Sequence, residues 1–193
     1  PRNHEWLQRA RDNSLICLGE MDFASIFWKG RVIAITGTNG KTSLTKFLTE
    51  ALRFNGQDAF AVGNIGMPLS QLIPDLNDPD AIALCEVSSF QSECMTRFVP
   101  DTVLWTNMSA DHLDRYSSAQ AYFDTKLALY SHCRSAVINR AVDYQPRQDV
   151  PTVSIGMDPA NGTAELGVSG DAITLAGEIL LRGNELRISG SHN

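Results

Sequence analysis

Two residues in this sequence, Lys41 and Thr42, stand where a helix opens after a glycine-rich turn, in "TGTNGKTS" (36–43). A strand–Gly–x–x–Gly–Lys–Thr–helix unit aims several backbone N–H groups and a helix N-terminus at one point. Such a point binds phosphate, with Lys41 adding positive charge and the Thr42 hydroxyl available to Mg²⁺. Gly37, Thr38, Asn39, Gly40 and Ser43 complete the candidate cradle. The spacing is unusual. The general phosphate-loop pattern places four residues between its first glycine and Gly-Lys-Thr, which would put that glycine at position 35, where Ile35 stands. The other reading is a tight turn with a surface lysine.

Further candidates follow apolar runs. Glu86 ends "AIALCE" (81–86), and a carboxylate at the C-terminal end of a parallel strand lies on the ligand side of the sheet. There it can hold Mg²⁺ directly or through water, as a Walker-B acid does, or simply begin a surface loop. "TNMSADHLDRY" (106–116) follows another such run and carries Asp111, His112, Asp114 and Arg115 to the same edge. His112 is a candidate for metal or for an anionic substrate, against a structural histidine. Asn64, in "GNIG" (63–66), is a polar group aimed at the site or a plain turn residue. Lys126, in "DTKLALY" (124–130), reads on composition as a solvated helix lysine.

These residues need elements to position them. "RVIAITG" (31–37), "DAFAVG" (58–63), "AIALCEVSS" (81–89), "DTVLWTNM" (101–108) and "SAVINR" (135–140) read as strands. Residues 41–56 show helical periodicity through Leu44, Phe47, Leu48, Ala51 and Leu52 and stop at Gly56. Residues 118–133 form a second helix with Ala119, Tyr122, Phe123 and Leu129 on its apolar side, and 5–13 a short one. "SLICLG" (14–19) reads as a short buried strand. Apolar strands alternating with helices predict an α/β fold, a mostly parallel sheet covered on both faces. Past residue 142, "PTVSIG", "GTAELGVSG", "DAITLAG", "EILLRG" and "NELRISG" read as antiparallel hairpins appended to that sheet.

The composition is that of a soluble globular chain, 43% hydrophobic and 20% charged. A net charge of −6 argues against a general nucleic-acid binder. No apolar run reaches the length of a membrane helix, and the N-terminus lacks a signal-peptide core. Cys17, Cys85, Cys94 and Cys133 form no C-x-x-C pair, which disfavours zinc. Cys17 and Cys85 sit in apolar runs and read as buried reduced thiols, which suits a cytoplasmic protein. The absence of an initial methionine and the ending "GSHN" read as a fragment of a longer protein.

Taken in order, "TGTNGKT", "GNIG", "EVSSFQ" (86–91), "DHLDRY" (111–116), "DTKLALY" and the terminal "HN" (192–193) resemble the Mur ligase family. "SSFQ" with "DHLDRY" lies nearest its glutamate-adding branch. The resemblance implies a P-loop-like central ATP-binding domain over 30–193, with 1–29 as the tail of an N-terminal UDP-binding domain and its linker. On that resemblance the amino-acid-binding domain is expected to follow, absent from these 193 residues. It implies a monomeric bacterial cytoplasmic enzyme of cell-wall precursor synthesis. That enzyme joins glutamate to UDP-N-acetylmuramoyl-L-alanine with ATP and two Mg²⁺, through an acyl phosphate. Lys41 and the Gly37–Gly40 backbone would hold phosphates, and Thr42 and Glu86 one Mg²⁺. Asn64, Ser89, Gln91 and His112 would line the substrate site, with His112 also at the second Mg²⁺. Lys126 matches a lysine that the family carbamylates into a carboxylate-like metal ligand, and Asn193 an adenine contact. Lys41, His112 and Lys126 are thereby the implied catalytic residues. Another Mur-type ligase, a folylpolyglutamate synthase and a non-catalytic nucleotide-binding module are the alternatives.

Overall fold

A computed structural model of the chain describes residues 4–74, 78–109, 115–156, 166–169 and 172–185. Strands β1 (Arg31–Thr36), β2 (Ala59–Gly63), β3 (Ile82–Glu86), β4 (Thr102–Trp105) and β5 (Ser135–Asn139) follow the expected alternation with helices. Helices α1 (Glu5–Asp12), α2 (Glu20–Phe27), α3 (Lys41–Phe54), α4 (Ser89–Ser92) and α5 (Ala119–Ser131) accompany them. Strands β6 (Thr152–Gly156), β7 (Leu166–Ser169), β8 (Ala172–Leu175) and β9 (Glu178–Arg182) complete the described part of the sheet. Its order is β2-β3-β1-β4-β5-β6-β7-β8-β9.

Strand β1 lies between β3 and β4, parallel to each. The chain leaves β1 for β2 and β3 on one side and then crosses to β4 on the other. Such a reversal opens a crevice at the C-terminal ends of the strands, where α/β sheets bind ligands. The loop after β1 is therefore flanked by whatever follows β3 and β4.

Alternation along β1 feeds two cores. Val32 and Ala34 face a cluster with Met21, Ala24 and Trp28 at the α2 end, Leu129 and Tyr130 of α5, and Val103 and Trp105 of β4. Ile33 and Ile35 face the opposite side, with Leu44, Leu48 and Leu52 of α3. Helices thus cover both faces. Ile35, which occupies the place of the missing glycine, is fully buried in this second core.

Helix α2 falls within the segment expected to be tail and linker, yet it packs into the main core. Asp22 fastens it. Its buried carboxylate accepts hydrogen bonds from the backbone N–H groups of Thr96, Arg97 and Phe98 and from the Thr96 hydroxyl, at 2.8–3.1 Å. Acceptance of so many donors offsets the desolvation of a buried charge.

Two expectations need correction. Residues 14–19 do not form a buried strand: Leu15 is 63% and Ile16 80% exposed, and Cys17 is exposed as well. An apolar run this short does not itself specify a strand; here it is the connection between α1 and α2. Cys85, in β3, is buried as expected. The second correction concerns "PTVSIG". Strand β6 extends the parallel sheet beside β5, and β7 lies parallel to β6. Antiparallel pairing begins only with β7–β8 and continues with β8–β9. The appended hairpin is therefore shorter than expected and continuous with the main sheet.

Candidate functional site

The turn between β1 and α3 is tight because its glycines permit what other residues would resist. A Cβ at Gly37 would stand 2.0 Å from Thr106 Oγ1, and Gly37 has φ +140°. Gly40, the residue that opens α3, has φ +81°, a left-handed conformation that costs an L side chain free energy. Helix α3 has no side-chain cap, whereas Ser88 caps α4 and Ser118 caps α5. The first N–H groups of a helix have no partner within it. At α3 they remain available for an external acceptor, and the macrodipole favours an anion there.

Charged side chains converge beside that helix end. Lys41 Nζ donates to the carbonyl oxygens of Gly37 at 3.0 Å and Thr38 at 2.8 Å. The Thr42 hydroxyl donates to Glu86 Oε2 at 2.7 Å, and Asn64 Nδ2 donates to Glu86 Oε1 at 2.8 Å. Glu86 is only 2% exposed, so both carboxylate oxygens are held in a fixed orientation at the end of β3. Four expected site residues from three strand ends thus meet at one place.

Lys126 is the surprise for a residue that composition alone assigns to solvent. It is 1% exposed, and its ammonium donates to the Gly37 carbonyl at 3.0 Å and lies 3.4 Å from Thr36 Oγ1. Its nitrogen also sits 5.1 Å from the centroid of the Tyr122 ring. The buried positions of α5 are Tyr122, Lys126, Leu129 and Tyr130. Lys126 thus occupies the core stripe of its helix, one turn from Tyr122. Phe123 and Ala119, expected on that stripe, are only half-buried.

Gln91 and Ser89 belong to α4. The Gln91 side-chain oxygen accepts from the Ser88 N–H and hydroxyl, and Ser88 in turn accepts from the Gln91 N–H, a reciprocal capping box. Ser89 is buried. Alongside, Arg115 forms a two-pronged ion pair with Glu93, at 3.2 and 2.8 Å, and lies over the Phe90 ring. The Tyr116 hydroxyl donates to the same carboxylate at 2.6 Å. Burial first, and then this bond, push the phenol pKa up.

Ser43 is exposed in the first turn of α3. His112, with Asp111 and Asp114, lies outside the described residues, as does Asn193. Among the described residues, no cluster of three or more His, Cys, Asp or Glu side chains is placed to hold a metal. The Glu86–Thr42 pair nonetheless suits Mg²⁺, which binds through one or two protein oxygens and fills its octahedron with water and phosphate.

Thr106 and Asn107, immediately after β4, do not stand out from sequence. They reach directly into the turn: Asn107 bonds the backbone of Asn39 twice and Thr106 once. Their position at the same sheet edge as Gly37–Thr42 was the available signal. Only the sheet order reveals that β4 lies beside β1.

Residues 35–193 match the Mur ligase middle domain. The chain is 35% identical over 205 aligned positions to the UDP-N-acetylmuramoylalanine--D-glutamate ligase of Trichlorobacter lovleyi, covering 100% of this chain and 45% of that protein. It is 31% identical over 194 positions to the protein of the same name from Idiomarina loihiensis, covering 95% and 42%. The chain therefore spans less than half the length of these relatives. Among solved structures it resembles the UDP-N-acetylmuramate:L-alanyl-gamma-D-glutamyl-meso-diaminopimelate ligase from Neisseria meningitides. The TM-score is 0.63 at 16% identity, covering 100% of this chain and 67% of that one. It also resembles the MurF ligase of Thermotoga maritima in complex with ADP, with TM-score 0.50 and 18% identity, covering 70% and 35%. At these identities the structural matches establish the fold.

Proposed function

The chain belongs to the Mur ligase family, and on that premise we propose that it is the ATP-binding part of a ligase that joins glutamate to UDP-N-acetylmuramoyl-L-alanine. One observation carries the reading. Lys41, Thr42 and Glu86 converge on the uncapped N-terminus of α3, with Thr42 bonded to Glu86 at 2.7 Å. That arrangement suits a nucleotide triphosphate and a divalent cation together. The names of the relatives support the glutamate branch, and the ADP complex of the Thermotoga protein supports a nucleotide at this fold's site.

In the proposed reaction a substrate carboxylate attacks the γ-phosphate of ATP, breaking the bond to the β–γ bridging oxygen and releasing ADP, to give an acyl phosphate. The neutral amine of glutamate then attacks the acyl carbon, expelling inorganic phosphate and losing a proton to form the amide. The difficulty is the gathering of anions. Lys41 would exchange its loop carbonyls for phosphate oxygens, and the first N–H groups of α3 would donate to others. Thr42 and Glu86 would hold Mg²⁺, which would supply charge neutralisation. Asn64 keeps the Glu86 carboxylate aimed by occupying its second oxygen. Lys126, buried beside Gly37, would after carbamylation be a ligand for a second Mg²⁺, together with His112. Asn64, Ser89, Gln91 and His112 remain the proposed lining of the muramoyl-alanine site, and Asn193 the proposed adenine contact.

The chain spans less than half of its relatives, so the proposed ligation is that of a longer protein, and the 193-residue chain alone is expected to bind Mg·ATP weakly and to form no amide. The test is phosphate release by the full-length protein with ATP, UDP-N-acetylmuramoyl-L-alanine and a panel of amino acids. Dependence on D-glutamate supports the reading. Dependence on a diamino acid redirects it within the family, and amide formation by the 193-residue chain alone contradicts the domain assignment.

A further inference from the structure

We propose that Asn107, with Thr106 beside it, is a positioning residue for the phosphate-binding turn, setting the direction of the N–H groups that open α3. This rests on the reading of that turn as the phosphate site. Asn107 Oδ1 accepts from the Asn39 N–H at 2.9 Å, and Asn107 Nδ2 donates to the Asn39 carbonyl at 2.9 Å. A primary amide presents an acceptor and a donor side by side, so a single side chain satisfies both backbone groups of one residue. The pairing also fixes the amide's orientation, because the flipped form would set acceptor against acceptor and donor against donor. Further contacts close the clamp. Thr106 Oγ1 donates to the same Asn39 carbonyl at 2.7 Å, and the Thr38 N–H donates to the Asn107 carbonyl at 3.2 Å.

The shortened turn takes much of its support from outside. Only Thr38 and Asn39 separate its glycines, and the N–H groups of both donate to Asn107, to its carbonyl and its Oδ1 respectively. Gly40 follows at once with φ +81° and hands the chain to α3. Whatever orients Asn39 therefore orients Gly40 and the first turn of the helix. Strand β4 lies parallel beside β1, so the two residues after it reach the turn without a long loop. Gly37 completes the fit: Thr106 Oγ1 occupies the space that any Cβ there would need. Asn107 touches neither the phosphates' proposed charge partners nor Glu86. It acts through the backbone, which is why it is a positioning residue.

The test uses the full-length protein, with Mg·ATP affinity, steady-state KM values and thermal melting measured together. For Asn107→Ala, Mg·ATP affinity is expected to fall about tenfold or more. KM for ATP should rise in parallel while KM for the other two substrates is unchanged. Asn107→Asp keeps the acceptor, loses the donor and sets a carboxylate against the Asn39 carbonyl, so it should be at least as impaired. Thr106→Val should weaken binding several-fold, and Thr106→Ser, which keeps the hydroxyl, should restore it. Wild-type affinity in Asn107→Ala overturns the inference. So does a loss of affinity that tracks a loss of melting temperature equally across all variants, or a rise of all KM values together. Failure of the wild-type protein to bind Mg·ATP is a different outcome: it overturns the phosphate-site reading, and this inference with it.

Discussion

Two regions of the sheet follow different rules. Strands β3, β1 and β4 stand side by side, second to fourth in its order, between helices on both faces, and their C-terminal ends carry much of the candidate site. Strand β9 lies at the far edge, exposed at all five positions, although it reads "EILLR". Both regions are strands rich in branched aliphatic residues. What separates them is their neighbours, because a strand becomes a platform for chemistry only when packing fixes it from both sides. Burial on two faces lets β3 hold the Glu86 carboxylate still, and the pairing of β1 with β4 brings Asn107 to Asn39.

The comparison can be broken most forcefully at the lysines. Lys126→Ala in the full-length protein should depress phosphate release by more than about a hundredfold, with partial recovery on adding short carboxylates. Arg182→Ala, on β9, should leave the rate at the wild-type level. A wild-type rate in the Lys126 variant would remove it from the proposed metal site.

Stability should divide the same way. Leu84→Ala, in the middle of β3 and fully buried, should cost about 2–5 kcal/mol in denaturant unfolding. Leu180→Ala, 52% exposed on β9, should stay within about 0.5 kcal/mol. Asp22→Ala leaves the buried Phe98 N–H and the partly buried N–H groups of Thr96 and Arg97 without their acceptor and should cost about 1–3 kcal/mol. A cost at Leu180 equal to that at Leu84 would mean that β9 is covered in the folded protein.

The mildest probe is thiol labelling of the native state. Burial pushes the thiols of Cys85 and Cys133 above their ordinary range, so they stay protonated and unreactive at neutral pH. Cys17 and Cys94 are exposed and should be modified first, two per chain, before denaturant releases the others. Early labelling of Cys85 would contradict the rigidity assigned to β3.

Much of the region around β1, β3 and β4 was legible in the sequence, because there the hydrophobic pattern and the element agree. A β-branched run ending in glycine marked β1, an apolar run ending in glutamate marked β3, and periodicity marked α3. The misses share a cause. Whether "SLICLG" is buried depends on what packs over it, and whether "PTVSIG" pairs parallel or antiparallel depends on which strand it meets. Neither fact is local. Lys126 is different, since Tyr122, Lys126, Leu129 and Tyr130 fall on one helical stripe. The signal was present, but charge concealed it. The motif order carried the family resemblance correctly, while Asn107 required the order of strands, which no short motif contains.

The central claim is that the β1–α3 turn binds a nucleotide triphosphate through Lys41, with Mg²⁺ held beside Glu86. Calorimetric titration of Mg·ATP into the wild-type protein and into Lys41→Ala tests it most directly. The account predicts saturable, Mg²⁺-dependent binding to the wild type that the variant loses. Equal binding by the two proteins, or wild-type binding indifferent to Mg²⁺, would contradict it.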